Sequence, residues 1–445
     1  MRSLMEPTQA LALFVSLLML AMVLGGCPNG ENTSNGATQQ TGDKGEPGAK
    51  PGLKVGVVMP MSGQTATFGE EAVSGLKLAL DEINAQSDAK IELVIKDDKG
   101  DSTETANLVG QVIKVDNVRV IIGSVTSTST LKGGKVAQEN GIPMLSPSAT
   151  NVDVTRKGEF VSRICFIDEF QGEILARLAL GDLGKRKVVI LTDKASDYSI
   201  GLAAAFKKTF VEGGGQVLGE ESYTSGDADF SALITKVAEL QPDVLFIPGY
   251  YGDVGPMLKQ AGEKWKDIPM VSGDGIDSPD LFKLMGNYPG QAYMSTHFAA
   301  DDTDPKVQEF VKKYKARFGK PPGAMAALGY DSLYAVYDAF KRAGSDDPVK
   351  LRDAINGIKN LSGVTGTITL DKDRNAQKDA VVLKLSSSGG TFYKRVGSTT
   401  PPAPPAPGTP ADAGAANPAD AGAANPADAG AAPAAAPDAG TTDAK

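Results

Sequence analysis

The stretch LKVGVVMPMSGQTATFGEEAVSGLKLALDEIN, residues 53–84, decides the fold. Its opening run LKVGVVM (53–59) is nearly continuous in apolar and β-branched residues, the pattern of a strand buried on both faces. In EAVSGLKLALDEIN, Val73, Leu76, Leu80 and Ile83 recur at spacings of three and four, which marks one face of a helix. The same alternation continues downstream. IELVIKD (91–97), VRVIIG (118–123) and IPMLS (142–146) read as strands, with a helix over ANLVGQVIKV (106–115). A second series starts at KVVILTD (187–193) and runs through QVLGEESY (216–223), PDVLFIPG (242–249) and IPMVSGDG (268–275). The helical segments GLAAAFKKTFVE and FSALITKVAEL separate its strands. Strands alternating with helices predict parallel sheets covered by helices. Residues 53–396 are long enough for about two domains of roughly 150 residues. The expected class is therefore α/β, with two Rossmann-like lobes.

The ends of the chain read differently. Residues 10–24, ALALFVSLLMLAMVL, form an uncharged apolar run too short to span a bilayer and right for the h-region of a secretion signal. It closes on Leu24-Gly25-Gly26-Cys27, which resembles the lipobox of bacterial lipoproteins. That resemblance implies a signal peptide over 1–26, cleavage before Cys27, and acylation of its thiol and new amino terminus. Residues 27–52 are rich in Gly, Asn, Thr and Pro without aromatics, too polar to offset chain entropy, and read as a flexible tether. From 397 to 445 the octet PADAGAAN recurs at 410–417 and 418–425 without Leu, Ile, Val or an aromatic, so it is a disordered low-complexity tail and not a solenoid.

Composition narrows the chemistry. The chain has 445 residues, one His, two Cys and a formal charge of -9, with five aspartates against one lysine in the repeat tail. An acidic chain is a poor match for nucleic acid. One His and two Cys leave little for a zinc cluster or a histidine relay. No GxSxG, P-loop or GxGxxG after a strand is present. Asp371-Lys-Asp373-Arg-Asn375 begins like a calcium loop, but Ala376 and Val382 stand at its sixth and twelfth positions, so a hairpin turn is expected. No metal, cofactor or catalytic activity is expected.

In open parallel sheets ligands bind beyond the carboxyl ends of the strands. In the first series those loops are MPMSGQTATFG (59–69), GSVTSTST (123–130) and SPSATN (146–151). In the second they are TDKASDYSIG (192–201), PGYYGD (248–253) and SGDG (272–275). The first set offers hydroxyls and backbone N–H groups, suited to a carboxylate. The second offers tyrosines and Asp274, suited to an ammonium group. Together they describe a zwitterion.

These ordered motifs, with DEFQG (168–172) and the ALGYDSLYA stretch around Tyr330, resemble the extracytoplasmic solute-binding proteins of the branched-chain (Leu/Ile/Val) amino-acid type that feed ABC transporters. The likeness runs from about Leu53 to Val396. It implies the type I periplasmic binding protein fold, whose lobes are joined by three crossovers, here near Asp168, Thr296 and Ser362. The lobes would be 53–168 plus 297–362 and 169–296 plus 363–396. It further implies that Ser127, Ser148 and Thr150 hold the ligand carboxylate, partly through backbone groups. Asp274 would pair with the α-ammonium, Tyr198 and Tyr250 would close from the second lobe, and Phe68 would line the side-chain pocket. Phe68 and Asp274 depart from the family's usual tyrosine and glutamate. The implied partners are an amino acid, ABC transporter permease subunits and the membrane through Cys27 alone. Pro28 and Asn29 follow that cysteine, with no Asp, which in a double-membraned cell usually implies outer-membrane sorting; the sequence leaves inner and outer membrane both open.

Each residue also has a plainer reading. Ser127 before a helix suits an N-cap, Ser148 and Thr150 suit a turn, and Asp-Gly at 274–275 is a common turn pair. Asp168 either braces a crossover or caps the next helix. His297 reads as a partly exposed structural residue, and Cys165 as a buried inert thiol. Receptors for amide, urea-like or aromatic solutes, and a ligand sensor without transport, are the alternative functions.

Overall fold

The computed structural model describes residues 52–386 and 389–398. The signal peptide, the tether up to Pro51, the acylation of Cys27 and the tail from Thr399 onward lie outside the described residues. The first sheet has strands β1 (Leu53–Met59), β2 (Ile91–Asp97), β3 (Val120–Gly123), β4 (Met144–Ser146) and β5 (Val161–Arg163), in the order β2-β1-β3-β4-β5. All its pairs are parallel. Helices α1 (Ala66–Gln86), α2 (Ser102–Lys114), α3 (Ser127–Glu139) and the short α4 (Asp153–Arg156) connect them.

The chain then passes through α5 (Asp168–Arg177) into a second series: β6 (Lys187–Asp193), α6 (Asp197–Glu212), β7 (Gln216–Tyr223), α7 (Ser231–Leu240) and β8 (Val244–Phe246). It continues with α8 (Tyr251–Ala261), β9 (Met270–Ser272), α9 (Pro279–Met285) and β10 (Ala292–Thr296). After β10 it returns with α10 (Pro305–Phe318), α11 (Ala324–Ala343) and α12 (Pro348–Asn356), and α11 lies against α1. A small sheet of β11 (Leu361–Gly363), β12 (Gly366–Leu370) and β13 (Ala376–Gln377) leads to β14 (Ala380–Ser386) and β15 (Gly389–Val396). The second large sheet has the order β15-β14-β10-β9-β8-β6-β7, parallel from β10 to β7, with β14 and β15 antiparallel at one edge. The chain thus passes between the two large sheets three times. The α/β architecture with parallel sheets is the expected one.

The chemistry of the sequence accounts for the elements. In β1 every residue but Lys54 is buried, as its apolar run required. In α1 the buried face is Ala72, Val73, Leu76, Ala79 and Ile83, while Leu80 packs only at its margin. That helix meets α11 at very short range, because a Cβ on Gly75 would lie 1.9 Å from the Ala326 carbonyl oxygen. Asp371–Asn375 forms the turn between antiparallel β12 and β13, as expected of that acidic stretch. Among the described residues, no helix is long and apolar enough to cross a membrane. Among the same described residues, no group of three or more His, Cys, Asp or Glu could hold a metal ion.

Candidate functional site

Parallel strands bring their following loops to one edge of each sheet, and here the two edges face each other. Asp197 opens α6, and its N–H donates to Thr128 Oγ1 at 3.0 Å while its carbonyl accepts from Asn151 Nδ2 at 2.7 Å. Ser225 donates to Gln64 Oε1 at 2.7 Å, and the Thr67 N–H donates to the Tyr251 hydroxyl at 3.1 Å. These bonds run from the loops of the first sheet to those of the second, so the crevice between them is closed.

Inside it, the residues singled out by sequence form a ring of contacts. Ser127 is the first residue of α3 and not its cap; Thr126 holds that position, without a side-chain bond. Ser127 Oγ accepts from the Asn151 N–H at 3.2 Å, which joins the β3 and β4 loops. Its N–H lies within hydrogen-bond reach of the Tyr250 hydroxyl, as does the Ser196 hydroxyl. Tyr250 stacks on Tyr198, with centroids 5.1 Å apart and planes at 23°. The Tyr198 hydroxyl accepts from the Gly275 N–H at 2.9 Å, beside Asp274. Phe68 meets Tyr250 and Tyr251 edge to face at 6.2 and 5.0 Å. Burial raises the pKa of both Tyr198 and Tyr250, and the Asp274 and Asp168 charges add to the rise, so both phenols stay neutral donors.

Asp274 sits in a single 3-10 turn after β9 and is almost wholly buried. Gln171 Nε2 donates to its Oδ1 at 2.9 Å, and its own N–H donates to Gln171 Oε1 at 3.0 Å. His297 Nε2 lies 3.0 Å from its Oδ2. Close approach explains the glycines of SGDG: a Cβ on Gly273 would lie 2.0 Å from Gln171 Oε1 and 2.4 Å from the Tyr198 hydroxyl. The turn reading of Asp-Gly is thus correct in part, but space is the stronger demand.

Ser148 and Thr150 line the other side. Ser148 Oγ donates to the Val125 carbonyl at 2.8 Å, so its proton is engaged within the loops of the first sheet. The Thr150 hydroxyl is buried without a hydrogen bond of good geometry, and its carbonyl accepts from the Asp168 N–H at 3.0 Å. Asp168 opens α5 and makes no capping bond, which removes one of its two readings. Burial pushes its carboxyl well above the usual carboxylate range; the Thr150 hydroxyl opposes that rise and the Asp274 charge reinforces it. Every residue expected at the site therefore falls in one cluster, buried except for the half-buried Tyr250, with Thr150 and Asp274 linked through α5. A cavity of about 270 Å³ adjoins it at Tyr250, bounded by Gln64, Thr65, Lys99, Thr126 and Ser196.

One expectation needs correction. His297 is not partly exposed; its side chain is 0% accessible and packs on Phe166 at 3.9 Å and 25°. Burial lowers its pKa, and Asp274 only partly restores it, so the ring is neutral at pH 7. Gln171 went unassigned although it stands in DEFQG. No periodicity or cap signal marks either residue. Cys165 is buried as expected, with Sγ 3.4 Å from the Ala149 carbonyl oxygen.

The sequence pattern of a family described as periplasmic binding protein matches residues 52–391. A Leu/Ile/Val-binding protein homolog from Brucella melitensis is 29% identical over 322 residues, covering 71% of this chain and 86% of its own. The crystal structure of a leucine binding protein from Thermotoga maritima is similar with a TM-score of 0.75 at 36% identity, covering 78% of this chain and 99% of that one. A branched-chain amino acid transporter substrate binding protein from Streptococcus pneumoniae, in complex with isoleucine, gives a TM-score of 0.72 at 30% identity, over 77% of this chain and 98% of that one.

Proposed function

The chain belongs to the periplasmic binding protein family, and on that premise we propose that it captures an aliphatic, branched-chain type of amino acid and delivers it to an ABC transporter. The observation that carries this reading is the closed crevice in which Asp274 and the Thr150 hydroxyl share one buried cluster. Asp274 pairs with the ligand's α-ammonium. The Ser127 and Thr150 loops, with the amino end of α3, take its carboxylate. Tyr198 and Tyr250 close over the ligand from the second sheet, and Phe68 bounds the side chain.

The halves that close are 53–168 plus 297–362 and 169–296 plus 363–396. Cys27, acylated, anchors the protein outside the cytoplasm, and residues 28–52 let the binding unit reach the permease. No bond in the ligand is made or broken. Contacts from both halves favour the closed form, and moving the population from 1:99 to 99:1 takes about 5.5 kcal/mol of differential binding.

Calorimetry against the twenty amino acids, with simple amides, urea and benzoate as the contrasting set, tests the reading. Leucine, isoleucine or valine is expected to bind most tightly. Tighter binding of an amide or an aromatic acid than of any amino acid would overturn it.

A further inference from the structure

The Asp274 carboxylate is held from two sides by neutral donors. Its oxygens offer about four lone-pair positions, and Gln171 and His297 occupy one on each oxygen. A carboxylate only accepts, so the nitrogen facing it on His297 is Nε2–H. The amide orientation of Gln171 is fixed as well. Its Oε1 accepts from the Asp274 N–H at 3.0 Å and from the Ser295 hydroxyl at 3.1 Å, which leaves the NH2 end for the carboxylate. Both side chains are held in place, Gln171 by this four-membered network and His297 also by stacking on Phe166.

We propose that Gln171 and His297 are positioning residues that aim the Asp274 oxygens at the ligand's ammonium group and thereby set the preference for amino acids over the same acids without nitrogen. This rests on the amino-acid reading above. The donors are neutral, so they orient the acid without cancelling the charge that the ammonium needs; a Lys or Arg in either place would compete with the ligand. Each reaches Asp274 from a segment where the chain passes between the sheets: Gln171 in the first turn of α5, and His297 directly after β10. The acid's direction is therefore tied to the same segments that join the two halves.

The test uses L-leucine and 4-methylpentanoate, which is leucine without its amino group, titrated calorimetrically into wild type, His297→Leu, His297→Gln and Gln171→Met. A lost hydrogen bond to a charged group predicts that His297→Leu and Gln171→Met weaken leucine binding about tenfold to a hundredfold. Binding of 4-methylpentanoate should change less than about threefold. His297→Gln, which keeps an N–H close to the place of Nε2, should stay within about threefold of wild type for leucine, and its fold can be checked by thermal melting. Equal weakening of both ligands, or equal loss in the Leu and Gln variants, would reduce the residues to packing and overturn the proposal. Unchanged leucine binding in His297→Leu and Gln171→Met would do the same. Where 4-methylpentanoate binds too weakly to titrate, the Leu–Gln contrast decides alone. Failure of wild type to bind leucine at all would instead strike the underlying reading, and this proposal with it.

Discussion

Replacing Asp274 by Asn isolates the charge at the centre of the crevice. The amide has the carboxylate's shape, so its oxygen accepts from Gln171 Nε2 as before. Its NH2 then faces His297 Nε2, which must become the acceptor, and the ring proton moves to Nδ1. That nitrogen is buried without a partner among the described residues in either tautomer, so the exchange replaces an unpaired acceptor by an unpaired N–H and costs the unliganded protein at most about 1–3 kcal/mol. The folded state survives that cost, whereas Asp274→Ala would orphan two donors at once and confuse the outcome. For the ligand the effect is larger. An ammonium brought into the closed crevice loses its counter-charge, and removing one partner of a buried ion pair costs about 3–5 kcal/mol. Leucine affinity measured by calorimetry at pH 7 should therefore fall about a hundredfold to several thousandfold. A dissociation constant within about threefold of wild type, in a protein melting within a few degrees of it, would refute the assignment of Asp274 to the ammonium.

Three further outcomes follow from groups away from the ligand. Burial, with Asp277 and Asp280 nearby, raises the Glu71 carboxyl from 4.5 to about 7; the folded state thus favours the protonated form, and stability is lost as pH rises from about 4.5 through 7. The loss is about 3 kcal/mol, and urea unfolding of Glu71→Gln should lack that part of the wild-type pH slope. Burial pushes the Cys165 thiol up to about 12, so a Cys27→Ser protein should show no reaction with a disulfide reagent at pH 8 until denaturant is added. Gly75→Ala should destabilise the protein by about 1–3 kcal/mol in urea unfolding, because the methyl meets the Ala326 carbonyl at 1.9 Å; a gain of about 1 kcal/mol, the helix-propensity effect alone, would show that α1 and α11 separate freely.

The large-scale fold was legible because its strands carry strong local patterns. The runs at 53–59, 91–97, 187–193 and 216–223 form strands with those limits. The runs at 242–249 and 268–275 shrink to three-residue strands whose carboxyl ends turn into the loops that line the crevice, whereas 142–146 loses only Ile142 and Pro143 at its start. Ile247 still donates its N–H to the Val271 carbonyl at 3.0 Å, so pairing fades gradually there. The start of α2 was legible and overlooked: Asp101 accepts from the Thr103 and Glu104 N–H groups, an ordinary cap written in the sequence. The start of α1 at Ala66 was not legible, because Thr65 makes no side-chain capping bond. Phe68 and Gly69 are held there instead by packing, against Tyr251 and close to the Pro60 carbonyl.

For the site, loops that follow parallel strands could be assigned to one edge and Asp274 singled out among them, while the choice of Ser127, Thr150 and Tyr250 within those loops came from the family resemblance. Gln171 and His297 reach Asp274 across 103 and 23 residues of sequence, and nothing local encodes such a meeting. The rim of the crevice has the same character. Thr67 with Tyr251, Gln64 with Ser225, Thr128 with Asp197 and Asn151 with Asp197 are neutral bonds, each paired across the two halves. Such bonds contribute about 0.5–1.5 kcal/mol apiece when water can replace them, and ordering the halves consumes much of that gain. A rim of this strength aligns the two edges without deciding whether they stay closed. On the proposed reading a buried charge at Asp274 is different, because an ammonium would pair with it only when both halves surround the ligand. On that reading the balance between open and closed forms is set at the centre of the crevice and only trimmed at its edge.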